Sequence, residues 1–182
     1  MNFDTTLLGG CGDDVRIHQS VSIRRPELVR IGRHVSIDEF VVVTTGLELG
    51  DHIHIAPHVA IVGGAKGLLK MGHFTNIATG GKIICGSDNF LGDGFITAAG
   101  IPEEFRDTQT IAPVVFEDFV NLGANVIIFP GVTLAEGCVI GAGSIVKQST
   151  EPWTIYAGTP AKAIKKRSSE NMLRFAKQMG YR

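Results

Sequence analysis

No stretch of the 182 residues approaches the roughly 20 consecutive apolar residues that a membrane helix requires. The opening MNFDTTLLGGCGDD has neither the basic start nor the apolar run of a secretory leader. Together these absences lead to the expectation of a soluble, cytoplasmic protein with no membrane partner. Charge is also lacking: 17 Lys and Arg against 18 Asp and Glu leave a net −1, which argues against a general nucleic-acid or anionic-surface binder and makes any cationic function local. Cysteine is scarce. Cys11, Cys85 and Cys138 are widely separated and form no Cys-x-x-Cys pair, so they are read as reduced thiols that pack as small hydrophobes. Histidine is missing altogether beyond His73.

What is present is glycine, 23 residues of it, and a period of six. Phe116, Leu122, Ile128, Leu134, Ile140 and Val146 recur every sixth residue, and Val114, Val120, Val126 and Val132 keep the same step two positions upstream. A helix repeats its apolar residues at 3.6 and a half-buried strand alternates, so neither accounts for six. A stack of short turns does: each unit is one brief strand and a corner, and the repeated aliphatic points to the axis. One unit cannot bury its apolar face alone, so the units must stack into a continuous core. Gly123, Ala135 and Gly141 follow the inward aliphatic where the chain bends and a Cβ would crowd. The expected fold is all-β.

The same step organises the first half. Val15, Ile17, Val21 and Ile23 predict an irregular opening coil, broken around Arg25 and Pro26, as a terminal repeat should be. Ile31, Ile37, Val43, Leu49, Ile55 and Ile61 then keep the period, with Val35, Val41, Leu47, Ile53 and Val59 four residues after each inward position. GGAKGLLK shifts the phase, placing Met71, Ile77 and Ile83 inward, and a second slip at CGSDN makes Leu91 and Thr97 the next inward positions. From Ala98 to Pro113 the period fails; this polar AAGIPEEFRDTQTIAP is the expected site loop, because insertions into repeat scaffolds tend to carry function. The solenoid is expected over residues 1–154 with that loop at about 98–113, followed by a tail and helix over 155–182. Met172, Phe175, Ala176 and Met179 form one helical stripe, expected to pack on the prism or a neighbour.

NLGANVIIFPGVTLAEGCVIGAGSIV followed by YAGTPAKAIKKR, within residues 114–167, resembles the hexapeptide-repeat acyltransferases of the left-handed β-helix superfamily, and the hexads of 31–97 agree. The resemblance implies a left-handed parallel β-helix with a short C-terminal helix, acetyl-CoA as co-substrate without a metal, and a homotrimer with its sites in the clefts between prisms. It implies that the pantetheine arm lies against the backbone of Gly123, Ala124, Gly141 and Ala142. The nucleotide end is implied at Thr159 and Pro160, with one or two of Lys162, Lys165, Lys166 and Arg167 binding phosphate.

Many sugar O-acetyltransferases of this family carry a histidine base just before the loop. Here that stretch reads ITAAGIPEEFRD, without one. A sugar hydroxyl needs a base to attack a thioester, whereas an amine with a pKa near 8 is partly neutral at pH 7 and already nucleophilic. The missing histidine favours N-acetylation. CGSDNF with GIPEEFRD is similar to bacterial nucleotide-amino-sugar acetyltransferases of O-antigen pathways, such as those acting on dTDP-4-amino-4,6-dideoxyglucose. In that reading His73, Asp88 and Glu104 are the catalytic candidates, and Asn76, Glu103 and Arg106 the substrate-binding ones. The alternatives are an O-acetyltransferase of the same fold, a γ-carbonic-anhydrase-like zinc enzyme using His52, His54, His58 and His73, and a non-catalytic scaffold. The zinc reading has His52 and His54 on one strand face but lacks the His-x4-His spacing of that family.

Overall fold

In the computed structural model, which describes residues 3–181, short parallel strands stack into a three-faced β-solenoid of about seven turns. Met1, Asn2 and Arg182, the outermost residues of the two expected segments, lie outside the described residues. The first face stacks Gly10–Cys11, Val29–Ile31, Gly46–Leu49, Leu68–Met71, Val114–Phe116 and Thr133–Leu134. The second stacks Val15–Ile17, Val35–Ile37, Ile53–Ile55, Asn76–Ile77, Asn121–Leu122, Val139–Ile140 and Thr154–Gly158. The third stacks Ser22–Ile23, Val42–Val43, Ala60–Val62, Lys82–Ile84, Ile127–Ile128 and Ile145–Val146.

The period of six is the register of this stack. Ile37, Ile55, Ile77, Leu122 and Ile140 lie over one another on the second face, and all are buried. Each such aliphatic stabilises the fold by about 1.5–3 kcal/mol relative to exposure. The series two positions upstream is also inward, and Cys138 and Ser144 continue it, both fully buried; the Ser144 hydroxyl donates a hydrogen bond to the Gly141 carbonyl at 2.6 Å. Burial raises the Cys85 and Cys138 thiols to about 11, so both stay protonated and inert, as expected of packing cysteines, whereas Cys11 is exposed on an edge strand against that expectation.

Corner chemistry explains a second column. His34, His52, Phe74, Phe119 and Trp153 occupy the corner between the first and second faces in the left-handed conformation, with φ from +52° to +62°. That conformation costs a non-glycine residue about 1–2 kcal/mol. The rings stack down the edge at 4.8, 4.8, 5.4 and 5.8 Å, and aromatic pairs of this kind return about 0.5–1.5 kcal/mol each. Gly137 occupies one step of the column and leaves its space to the Trp153 ring.

Three expectations are corrected. Leu91 and Thr97 are exposed rather than inward, and CGSDN is not a phase slip within the stack. Gly86–Asp88 instead pairs antiparallel with Gln109–Ile111, so the excursion leaves the solenoid after Cys85 and returns at Ala112, longer than the expected 98–113. Polar residues at the hairpin base bond to one another, which lifts the chain off the apolar stack. The tail is also less separate than expected. Thr154–Gly158 pairs parallel with Val139–Ile140, and Ala161–Lys166 folds back antiparallel, extending the second face. The helix α1, Glu170–Gln178, follows, with Ala176 buried against the aromatic column and Phe175 and Met179 about half exposed.

Candidate active site

The corner between the second and third faces is lined by small residues. A Cβ on Gly123 would meet the Ala142 backbone nitrogen at 2.6 Å, and one on Gly141 would meet Ala157 Cβ at 3.1 Å. Successive corners are tied by Gly123 N–H to Ile140 O and Gly143 N–H to Ala124 O, each at 2.8 Å. Among the described residues, the N–H groups of Ala124 and Ala142 have no partner. With no long side chain over them, these donors suit the amide carbonyls of an extended arm laid along the solenoid axis. The corner continues to Thr159 and Pro160, which join the two antiparallel tail strands through a cis peptide; the Thr159 hydroxyl reaches Gly143 O at 3.4 Å.

Structure divides the four tail cations. Lys166 bonds Glu151 at 2.9 Å and the Thr154 hydroxyl at 2.8 Å. Arg167 turns inward, donating to Gly137 O at 3.2 Å and lying over the Trp153 ring, and burial lowers its pKa. Lys162 and Lys165 are exposed and have no bonded partner among the described residues. They are the two cations available to phosphate.

The excursion holds Asp88, Glu103, Glu104 and Arg106 at the opposite corner, between the third and first faces. Asp88 accepts from Gln109 Nε2 at 2.8 Å and from the Thr97 hydroxyl and N–H at 2.8 and 3.0 Å. The Gln109 bond, followed by those from Thr97, holds its carboxyl below the usual range, so it stays ionised and is a weak base suited to orienting a cation. Glu103 and Glu104 begin an exposed 3-10 turn. Arg106 is committed to the loop, its guanidinium donating twice to Ile101 O. Asp107, buried in the same loop, caps Leu91 N–H at 2.8 Å and Thr108 N–H at 2.7 Å.

His73 lies at neither of these corners. It occupies the one between the first and second faces, where Nδ1 accepts the Asp51 N–H at 2.9 Å and the ring leans on Tyr181. One ring nitrogen is thus spent on the backbone. Asn76 stands on the outer surface of the second face, in register with Ser36, His54 and Asn121. These residues line a recess of about 410 Å³ together with His34, His52 and Thr75. The zinc reading is corrected in one respect: His52 sits in a left-handed corner rather than sharing a strand face with His54. Among the described residues no group of three His, Cys, Asp or Glu side chains could hold a metal.

Ser36 and Asn121 were not among the expected site residues, and His54 was expected only as a ligand in the zinc alternative. Each directly precedes an inward aliphatic, as Asn76 does, which marks it as outward-facing; the strand pairing is what places the four on one face.

A family model described as the hexapeptide repeat of succinyl-transferase matches residues 113–148. The chain is 32% identical over 162 residues to a dTDP-4-amino-4,6-dideoxy-D-glucose acyltransferase of Escherichia coli, covering 87% of this chain and 82% of the relative. Its fold is similar to the N-acyltransferase AntD from Bacillus cereus. A mutant of AntD in complex with dTDP-4-amino-4,6-dideoxyglucose and coenzyme A superposes with a TM-score of 0.89 at 30% identity, covering 97% and 92% of the two chains. AntD in complex with dTDP and 3-hydroxybutyryl-CoA gives 0.88 at 32%, covering 96% and 93%. The chain belongs to the hexapeptide-repeat acyltransferases, in the family that includes these dTDP-amino-sugar enzymes.

Proposed function

We propose that this acyltransferase moves the acyl group of acetyl-CoA or a short-chain acyl-CoA to the amino group of a dTDP-4-amino-4,6-dideoxy sugar. The observation that carries the reading is the small-residue corner with its unpartnered Ala124 and Ala142 N–H groups, in a fold whose neighbours bind dTDP-sugar and CoA. The pantetheine amides bond along that corner, Lys162 and Lys165 take the CoA phosphates, and the thioester points away from the tail. The amine attacks the thioester carbonyl, the C–N bond forms, the C–S bond breaks and CoA leaves as the thiol.

Asp88 and the pantetheine corner lie at different edges of one prism, so in this reading the loop of one subunit reaches the corner of the next. Phe90, Leu91, Phe95, Ile96 and Phe105 of that loop are all more than half exposed, an unusual apolar load for a surface excursion and one suited to a neighbouring copy. A homotrimer satisfies this geometry, with the ionised Asp88 orienting the sugar's amino group.

The test is thiol release from acetyl-CoA and 3-hydroxybutyryl-CoA with a panel of dTDP- and UDP-linked amino and hydroxyl sugars, the product identified by mass spectrometry. N-acylation of the dTDP-amino sugar is expected. Acylation confined to hydroxyl-only sugars would overturn it.

A further inference from the structure

We infer that His54, oriented by Asp38, takes the proton lost by the amine during acyl transfer; this rests on the acyl-transfer reading above. His54 projects from the outer surface of the second face, and its Nε2 meets Asp38 Oδ2 at 2.7 Å. Asp38 lies in the next coil toward the N-terminus, at the start of the corner that follows Ile37. A carboxylate on Nε2 favours the tautomer with its proton there, leaving Nδ1 as the proton acceptor. Among the described residues Nδ1 has no partner. The ring is about half exposed, so it is open to a ligand.

The position fits the course of the CoA arm. An extended pantetheine arm is roughly 15 Å long, equivalent to about four peptide units. Coils are spaced by ~4.8 Å, so the arm crosses about three of them. Counting from Ala142 toward the N-terminus, the coils are those of Asn121, Asn76 and His54, in register on the second face. An arm on that corner thus ends at the coil of His54, which Asp38 ties to the same corner, and Asn76 and Asn121 stand in the same row of the second face, where their amides can hold sugar or phosphate oxygens.

Chemically, the amine needs no base to attack but must shed a proton once bonded to carbon. That proton passes from the tetrahedral adduct's ammonium to His54 Nδ1, Asp38 stabilises the imidazolium, and the departing thiolate collects the proton as CoA-SH. The charge on the amide product and on His54 is then restored to its starting state. Other titratable groups near the ring are His34 and His52 in the same recess, with His18 and Glu39 in the neighbouring corner, 3.9 Å apart; Arg16 at the end of the row is bonded to Asp14.

The test compares the full-length protein with His54→Gln, His54→Ala and Asp38→Asn, using acetyl-CoA and dTDP-4-amino-4,6-dideoxyglucose. Expected is a loss in kcat of about 100-fold for both His54 variants, within the usual range for a positioned proton acceptor. CoA affinity by calorimetry should be unchanged. Added imidazole should restore part of the rate to His54→Ala and none to the wild type. Asp38→Asn should lose less, and imidazole should not rescue it, because the His54 ring is still in place. Wild-type turnover matched within twofold by both His54 variants, or a loss that imidazole does not rescue, overturns this assignment and leaves the acyl-transfer reading standing. Wild-type inactivity on every amino sugar overturns both.

Discussion

Gly137→Ala isolates the cost of filling the gap in the aromatic column. Gly137 has φ +66°, and a Cβ there would lie 2.3 to 2.6 Å from three ring atoms of Trp153. Holding alanine in the left-handed region costs about 1–2 kcal/mol. The overlap adds about 1–3 kcal/mol, because the ring cannot slide freely between Phe119 and the Arg167 guanidinium. The control is Gly131→Ala, at φ +80°, where the new methyl meets only Ala112 Cβ at an ordinary 3.6 Å and the conformational cost stands alone. Trp153 is the single tryptophan of the chain, so its emission reports directly on the perturbed site. In urea, with a slope of about 2 kcal/mol per M, Gly131→Ala should lower the midpoint by roughly 0.5–1 M and Gly137→Ala by roughly 1–2.5 M. At fixed protein concentration, only Gly137→Ala should also red-shift the native emission. Equal midpoints and an unshifted spectrum would refute the claim that the ring occupies the space glycine vacates.

Two further outcomes are expected. Lys162→Gln and Lys165→Gln should each weaken CoA binding, by a factor that shrinks as salt is raised, whereas Lys166→Gln, already paired with Glu151, should leave it unchanged; titration calorimetry at two ionic strengths separates them. Tyr181 donates to Asp51 Oδ2 at 2.8 Å and so clasps the C-terminus to the prism. Burial would raise the Asp51 pKa, but hydrogen bonds from the Arg33 N–H, its guanidinium and Tyr181 outweigh this and hold it well below the usual carboxylate range. A depressed folded-state pKa stabilises above the unfolded value, near pH 4, and that stability is lost as pH falls through the folded value. Tyr181→Phe should therefore cost about 1.5 kcal/mol at pH 7 and progressively less below pH 4, measured by thermal unfolding across that range.

The stack itself was legible in the residues because a repeat is a local property. Each inward aliphatic from Ile31 to Val146 faces the axis whatever the rest of the chain does, and the residue before it, as at Ser36, His54, Asn76 and Asn121, faces out; only the stacking sets those four in one row. The excursion was harder to bound. CGSDN keeps enough apolar and turn residues to imitate another coil, and only pairing of Gly86–Asp88 with Gln109–Ile111 shows that it leaves the solenoid.

Sequence alone determined the solenoid, the small-residue corner and the acyltransferase resemblance, since all three depend on spacing within a few dozen residues. Tertiary structure decided which charges are available. Four tail cations look alike in GTPAKAIKKR, yet Glu151 and Thr154 engage Lys166, while Gly137 and Trp153 engage Arg167. It also joined Asp38 to His54 and Tyr181 to Asp51, pairs separated by 16 and 130 positions. Such pairings depend on which corners meet when coils stack, and no local period encodes that.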